Sequence, residues 1–154
     1  MSDKSNRTAS YVRSMIKYCQ DILDIQTSFG GKSYTSFMLD KGYQYAVSFC
    51  IEQIGELAKK LRDEGFAEKY PNIQWNEIAG MRNRIAHGYD TIDLDMVYDI
   101  ATEDIPKLLV DCQHMLLNET HDVNEKMALA QALQASGSTS DGVAERTSNK
   151  KEAR

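Results

Sequence analysis

From Tyr11 to Leu116 the apolar residues recur at three- and four-residue steps, and the two-residue alternation of a half-buried strand is absent. That period leaves little choice but packed helices. Only two prolines, Pro71 and Pro106, interrupt the chain, which suits the same class because proline removes a backbone donor and crowds the preceding turn. Glycines and short polar groups mark the ends. A first helix is expected from about Thr8 to Phe29, stopped by Gly30-Gly31. Ser33 or Thr35 can cap a short second helix through Phe37, Met38 and Leu39. A long third helix follows from about Asp40 to Asp63, leaving at Gly65, and Tyr70-Pro71-Asn72 reads as a loop. The fourth starts near Asn76 behind Trp75, carries Ile78, Met81 and Ile85, and stops at Gly88. The fifth starts near Asp93 and runs to Leu116, with Pro106 expected to kink it. The expected architecture is all-α, an antiparallel bundle of four or five helices.

With 154 residues the chain fits one domain, taken as residues 1–120. Residues 121–154 read as partly helical (123–133) and then, from Gln134, as a flexible Ser/Gly/Thr-rich tail that buries too little to offset its ordering entropy. No segment approaches the roughly 18 apolar residues of a membrane span, and the polar start Met1-Ser2-Asp3-Lys4 is unlike a secretory signal. Cys19, Cys50 and Cys112 are odd in number and far apart. They are expected to be free thiols packed on helices, in a cytoplasmic protein. Cys112, His114 and His121 lack a fourth ligand at zinc spacing, so no metal site is expected. The net charge of −5 provides no global attraction to nucleic acid, so any such contact must be local.

One stretch differs in kind: Gly80-Met-Arg82-Asn83-Arg84-Ile-Ala-His87-Gly88-Tyr89-Asp90. Asn83 and His87 are four apart on a helix, and Arg84 and His87 three apart, so each pair shares a face. Arg82 lies elsewhere on the cylinder, but its long side chain can wrap back. The residue types suit phosphoryl transfer on RNA. A histidine moves protons near neutral pH, and a guanidinium grips phosphate with paired donors and stabilises growing charge. An asparagine supplies orienting hydrogen bonds. The same cluster also reads as plain structure, since cations and side-chain donors at a helix C-terminus satisfy its last carbonyls.

Arg82-Asn-Arg-Ile-Ala-His87-Gly-Tyr89 resembles the Arg-x4-His-x-Tyr signature of HEPN-domain proteins, specifically the HepT-like toxins. Ile54-Gly55-Glu56-Leu57-Ala58 resembles the Ile-Gly-Glu-Ala-Ala segment of that family's long helix. The acidic, Pro-containing run Asp99 to Pro106 is a third match. The resemblance covers about residues 11–118 and leaves the tail without a counterpart.

The resemblance implies a HEPN-like homodimer whose two motifs meet across the two-fold axis in one cleft. It also implies a metal-independent endoribonuclease, the toxin of a type VII-like toxin–antitoxin pair, with no cofactor. In that picture Arg82 binds phosphate and steadies the transition state, His87 is the acid–base residue, Asn83 orients the site and Arg84 can contact RNA. The implied partner is a nucleotidyltransferase antitoxin of the MntA type, which transfers AMP to Tyr89. The alternative implied by other relatives is a non-catalytic companion subunit that binds nucleotide or substrate for a nucleotidyltransferase.

Several residues keep two readings. Glu56 either bonds an active-site arginine and holds its rotamer or is a solvated carboxylate. Gly55 is read as a close-approach position between helices. Tyr11, Tyr18, Tyr43 and Tyr45 are read as core or interface aromatics more than as base-stacking platforms. Trp75 is read as an anchor for the fourth helix, and Lys59-Lys60 with Arg62 as a solvated helix end or a phosphate track.

Overall fold

The computed structural model describes residues 2–86 and 91–138. All regular structure among them is helical, in the order α1 (Asp3–Ser28), α2 (Tyr34–Leu39), α3 (Lys41–Asp63), α4 (Trp75–Ala86), α5 (Leu94–Asp99), α6 (Ile105–Glu119) and α7 (Val123–Ser138). A short 3-10 turn, Phe66–Lys69, follows α3. Val12, Met15, Cys19 and Ile22 of α1, Ile51, Ile54, Ala58 and Leu61 of α3, and Ile105, Cys112 and Met115 of α6 are almost wholly buried together, as the helical period requires.

Capping follows ordinary chemistry. Ser33 accepts from the Ser36 N–H ahead of α2, Asp40 from Tyr43 ahead of α3, and Asp93 from Met96 ahead of α5. Gly30 and Gly31, at φ +94° and +90°, end α1 in a conformation that side chains rarely adopt. The cross-links run antiparallel. Arg7 near the start of α1 forms two hydrogen bonds to Glu64, the residue after α3. On the other side of α3, Arg62 donates to Asn76 near the start of α4, while Glu56 meets Arg82 near its end.

Three sequence expectations are corrected. Helix α1 begins at Asp3, not Thr8, because Ser2 caps it and the first turns are held by polar bonds, which hydrophobic period does not register. Helix α7 continues to Ser138, past the point where composition placed the tail. Residues 139–154 lie outside the described set.

The third correction concerns Pro106. Instead of a simple kink, Ile100–Asp104 widens into a π turn in which the Ile105 N–H reaches back to the Ile100 carbonyl. Pro106 then sits in the first turn of α6, where a missing donor costs nothing. Buried Gln26 of α1 donates to the Ala101 carbonyl inside that turn, at 3.4 Å.

The contact that sets the α3–α4 spacing is at Gly55. A methyl group there would lie 3.0 Å from the Arg82 backbone nitrogen, 3.0 Å from the Arg82 Cβ and 3.1 Å from the Ile78 carbonyl. Two of those atoms are backbone and cannot swing aside. Gly55→Ala is therefore expected to lower stability by about 1–3 kcal/mol, the usual cost of overpacking, read from urea unfolding. An unchanged midpoint would contradict the close approach.

Helix α7 lies against α1 and α6 through buried Leu129 and a paired contact in which Arg13 Nε and Nη2 each donate to Glu125 at 2.9 Å. Those hydrogen bonds hold the Glu125 carboxyl below its ordinary range. A depressed carboxylate adds stability above its unfolded value and loses it as pH falls through the folded value. Docking of α7 should thus loosen below about pH 4.5 in the wild type. It should be loose at all pH values in Glu125→Gln, as seen by hydrogen exchange of α7 amides. The pair is surface-exposed, so an effect of a few tenths to about 1 kcal/mol is expected.

Candidate active site

Arg82 projects from the last turns of α4, and its position is determined twice over. The close contact at Gly55 fixes its Cβ and backbone nitrogen. The next residue on α3, Glu56, brings Oε2 to 2.8 Å from the Arg82 Nε. The N–H is not aligned along that line, so the contact is an ion pair more than a directed hydrogen bond. The Oε2 atom is shielded from solvent, while the Arg82 side chain remains 42% exposed. Among the described residues, no hydrogen bond occupies the Nη1 and Nη2 groups of Arg82. Arg82 pairs with Glu56 at Nε, and no described residue takes its Nη donors, an arrangement that suits the binding of an oxyanion.

The rest of the predicted cluster is distributed. Asn83 is exposed on the next position of α4. Arg84 is also exposed and points away from Arg82, its Nη1 lying 3.9 Å from the Met96 Sδ of α5. That weak contact sets its guanidinium beside α5. His87 and Tyr89 lie outside the described residues. The structure thus unites Arg82 with Glu56 and separates it from Arg84. Glu56 is found in an ion pair with Arg82, which is neither the directed hydrogen bond nor the solvated carboxylate of the two readings. Met96 was not foreseen; a lone thioether in a mixed helix has no sequence signal pointing to an arginine.

The other residues singled out settle mainly into structure. Trp75 is buried, donates Nε1–H to the Tyr70 carbonyl at 2.9 Å and meets Phe66 edge-on, so it anchors the start of α4. Tyr43 is a core residue whose hydroxyl donates to the Gly31 carbonyl. Tyr18 packs edge-on against Phe49. Tyr45 and Phe49 are both about half exposed one turn apart on α3. Lys60 lies over the Tyr11 ring, 5.6 Å from its centroid, and Arg62 is bonded to Asn76, so neither is simply a solvated end.

All three cysteines are buried free thiols. Burial pushes the Cys50 thiol up to about 11, and Cys112 is also raised, which leaves both as unreactive core groups. Among the described residues, no group of three His, Cys, Asp or Glu side chains could hold a metal ion. No helix there is long and apolar enough to cross a membrane.

A protein of Methanocaldococcus jannaschii named as a candidate RNase is 33% identical over 99 residues, covering 64% of this chain and 78% of the relative. A second candidate RNase of the same organism is 31% identical over 117 residues, covering 76% and 94%. A protein of Thermococcus cleftensis named as a probable ribonuclease HepT is 36% identical over 75 residues, covering 49% and 67%. No solved structure matches. The family described as Ribonuclease HepT-like matches residues 15–115, a span that contains Gly55, Glu56, Arg82 and the whole Arg-x4-His-x-Tyr stretch, and the chain belongs to that family.

Proposed function

We propose that this chain is a metal-independent endoribonuclease, the toxin of a toxin–antitoxin pair, that uses Arg82 and His87 on a scissile phosphate. The observation that carries the reading is the half-exposed Arg82 side chain, whose Nη donors meet no acceptor among the described residues, inside the span matched by a ribonuclease family. In the reaction, the ribose 2′-oxygen bonds to the adjacent phosphorus while the bond from phosphorus to the 5′-oxygen breaks. The proton of the 2′-hydroxyl passes to an imidazole, and a proton is returned to the departing 5′-oxygen. The products are a 2′,3′-cyclic phosphate and a free 5′-hydroxyl. His87 is the proton carrier, because imidazole changes charge near neutral pH. Arg82 pairs with the phosphate oxygens as their charge grows, Asn83 orients the site, and Arg84 contacts a flanking phosphate.

Two copies are required in this reading, with Arg82 of one protomer serving beside His87 of the other in a shared cleft. Control is assigned to Tyr89. A nucleotidyltransferase antitoxin brings ATP, the phenolic oxygen attacks the α-phosphate, and pyrophosphate leaves. The AMP left on Tyr89 places a negative phosphate beside the motif, where it repels RNA and can occupy Arg82 or Arg84.

A second reading is favoured by one observation, the acidic balance of −5. It treats the chain as a non-catalytic subunit that binds nucleotide or substrate for a nucleotidyltransferase, the same cluster gripping phosphate without chemistry.

Pure protein incubated with RNA in EDTA separates the two. Cleavage with 2′,3′-cyclic ends is expected, falling at least a hundredfold in Arg82→Ala and in His87→Ala, with both variants folded and of wild-type assembly size. Normal cleavage by both would remove the catalytic reading. Co-expression with the partner enzyme tests control: intact mass is expected to rise by AMP units, and Tyr89→Phe to lack them. Unmodified wild-type protein beside an active partner would end the regulatory assignment.

A further inference from the structure

Among the described residues, Glu56 lies within ion-pairing distance of Arg82, and proximity of this kind does more than neutralise charge. We propose that Glu56 is the positioning residue of the reaction, selecting which edge of Arg82 meets the scissile phosphate; this rests on the ribonuclease reading above. A guanidinium carries five N–H groups, one on Nε and four on the two Nη atoms. It can approach an oxyanion through its Nε side or through its Nη end. The Glu56 Oε2 stands 2.8 Å from Nε, which puts a negative charge on that side and disfavours a phosphate there. The Cβ and backbone nitrogen of Arg82 are held against Gly55, so the side chain is constrained at its root and again at Nε. A phosphate therefore meets less repulsion at the Nη end.

The carboxylate has an opposite effect on affinity. Beyond a Debye length the Glu56–Arg82 pair carries no net charge, so it does not draw RNA from a distance. At contact, the four Nη protons still act directionally on phosphate oxygens. Glu56 therefore trades attraction for alignment, and removing its charge should shift binding and catalysis in opposite directions. A residue serving stability alone would not do that.

Steady-state cleavage of a fluorescent RNA, measured across a salt series, tests the inference. Glu56→Gln keeps the shape and removes the charge. KM is expected to fall severalfold at low salt, with log KM depending more steeply on log salt by about one ion release. The kcat should fall roughly ten- to hundredfold, the scale of a misplaced reacting group. Glu56→Asp keeps the charge and should retain the wild-type salt slope with a smaller loss of kcat. Asp63→Asn removes the same charge from the exposed end of α3 and should change neither constant. In an Arg82→Ala background, Glu56→Gln should cost nothing further.

Wild-type kcat in Glu56→Gln, with Arg82→Ala inactive, would overturn the positioning role and leave the ribonuclease reading intact. So would a parallel loss of kcat and affinity accompanied by a lowered thermal midpoint. Full activity in both Glu56→Gln and Arg82→Ala would sink the two together.

Discussion

The backbone of α4 lies directly against the backbone of α3 at Gly55, and the rest of the site depends on that contact. Any side chain at this position would meet the Arg82 nitrogen and the Ile78 carbonyl. Because the helices touch there, Glu56 is close enough to reach Arg82 with an ordinary side chain. Because they run antiparallel, Arg62 meets Asn76 two turns away and fixes the register. Packing, charge pairing and presentation of the guanidinium therefore follow from one absent methyl group. Local backbone geometry, and not a dedicated loop, places Arg82 on a rigid element.

Around that seam the bundle is assembled by conventional means. Buried aliphatic stripes join α1, α3 and α6. Ion pairs at the periphery, Arg7–Glu64 and Arg13–Glu125, tie down helix ends that have few apolar residues to bury. The π turn before Pro106 is the one break in regular helix between α5 and α6, and it absorbs a register change that a straight helix could not make around proline. Gln26 reaching into this turn shows how a polar residue in an apolar stripe earns its place, by bonding a carbonyl that the altered register presents.

Much of this was legible from residues alone. Three- and four-residue spacing gave the helices, and Ser33, Asp40 and Asp93 marked their starts, because caps are local chemistry. The close approach at Gly55 was also readable, since a glycine amid an apolar helical stripe has few other uses. The early start of α1 was missed because its first turns, behind the Ser2 cap, are polar and leave no apolar period. The extent of α7 was missed as well: its last residues, 134–138, lie where composition suggested a tail. At the site, spacing paired Asn83 and Arg84 with His87 and set Arg82 elsewhere on the cylinder, with a side chain long enough to wrap back. In three dimensions Arg82 turns to α3 and Arg84 to α5, since residues two apart on a helix face nearly opposite ways. Only tertiary packing decides which neighbour each one meets.

In the proposed reaction Arg82 faces two partners, Glu56 and a phosphate, and that calls for guanidinium chemistry and not merely a positive charge. Lysine ends in a single compact ammonium whose donors radiate from one atom. Drawn toward Glu56, that atom would turn its charge inward; drawn toward a phosphate, it would abandon the carboxylate. A planar fork can satisfy both neighbours at once, so at this corner of the bundle a swap between the two basic residues replaces a bridge with a choice.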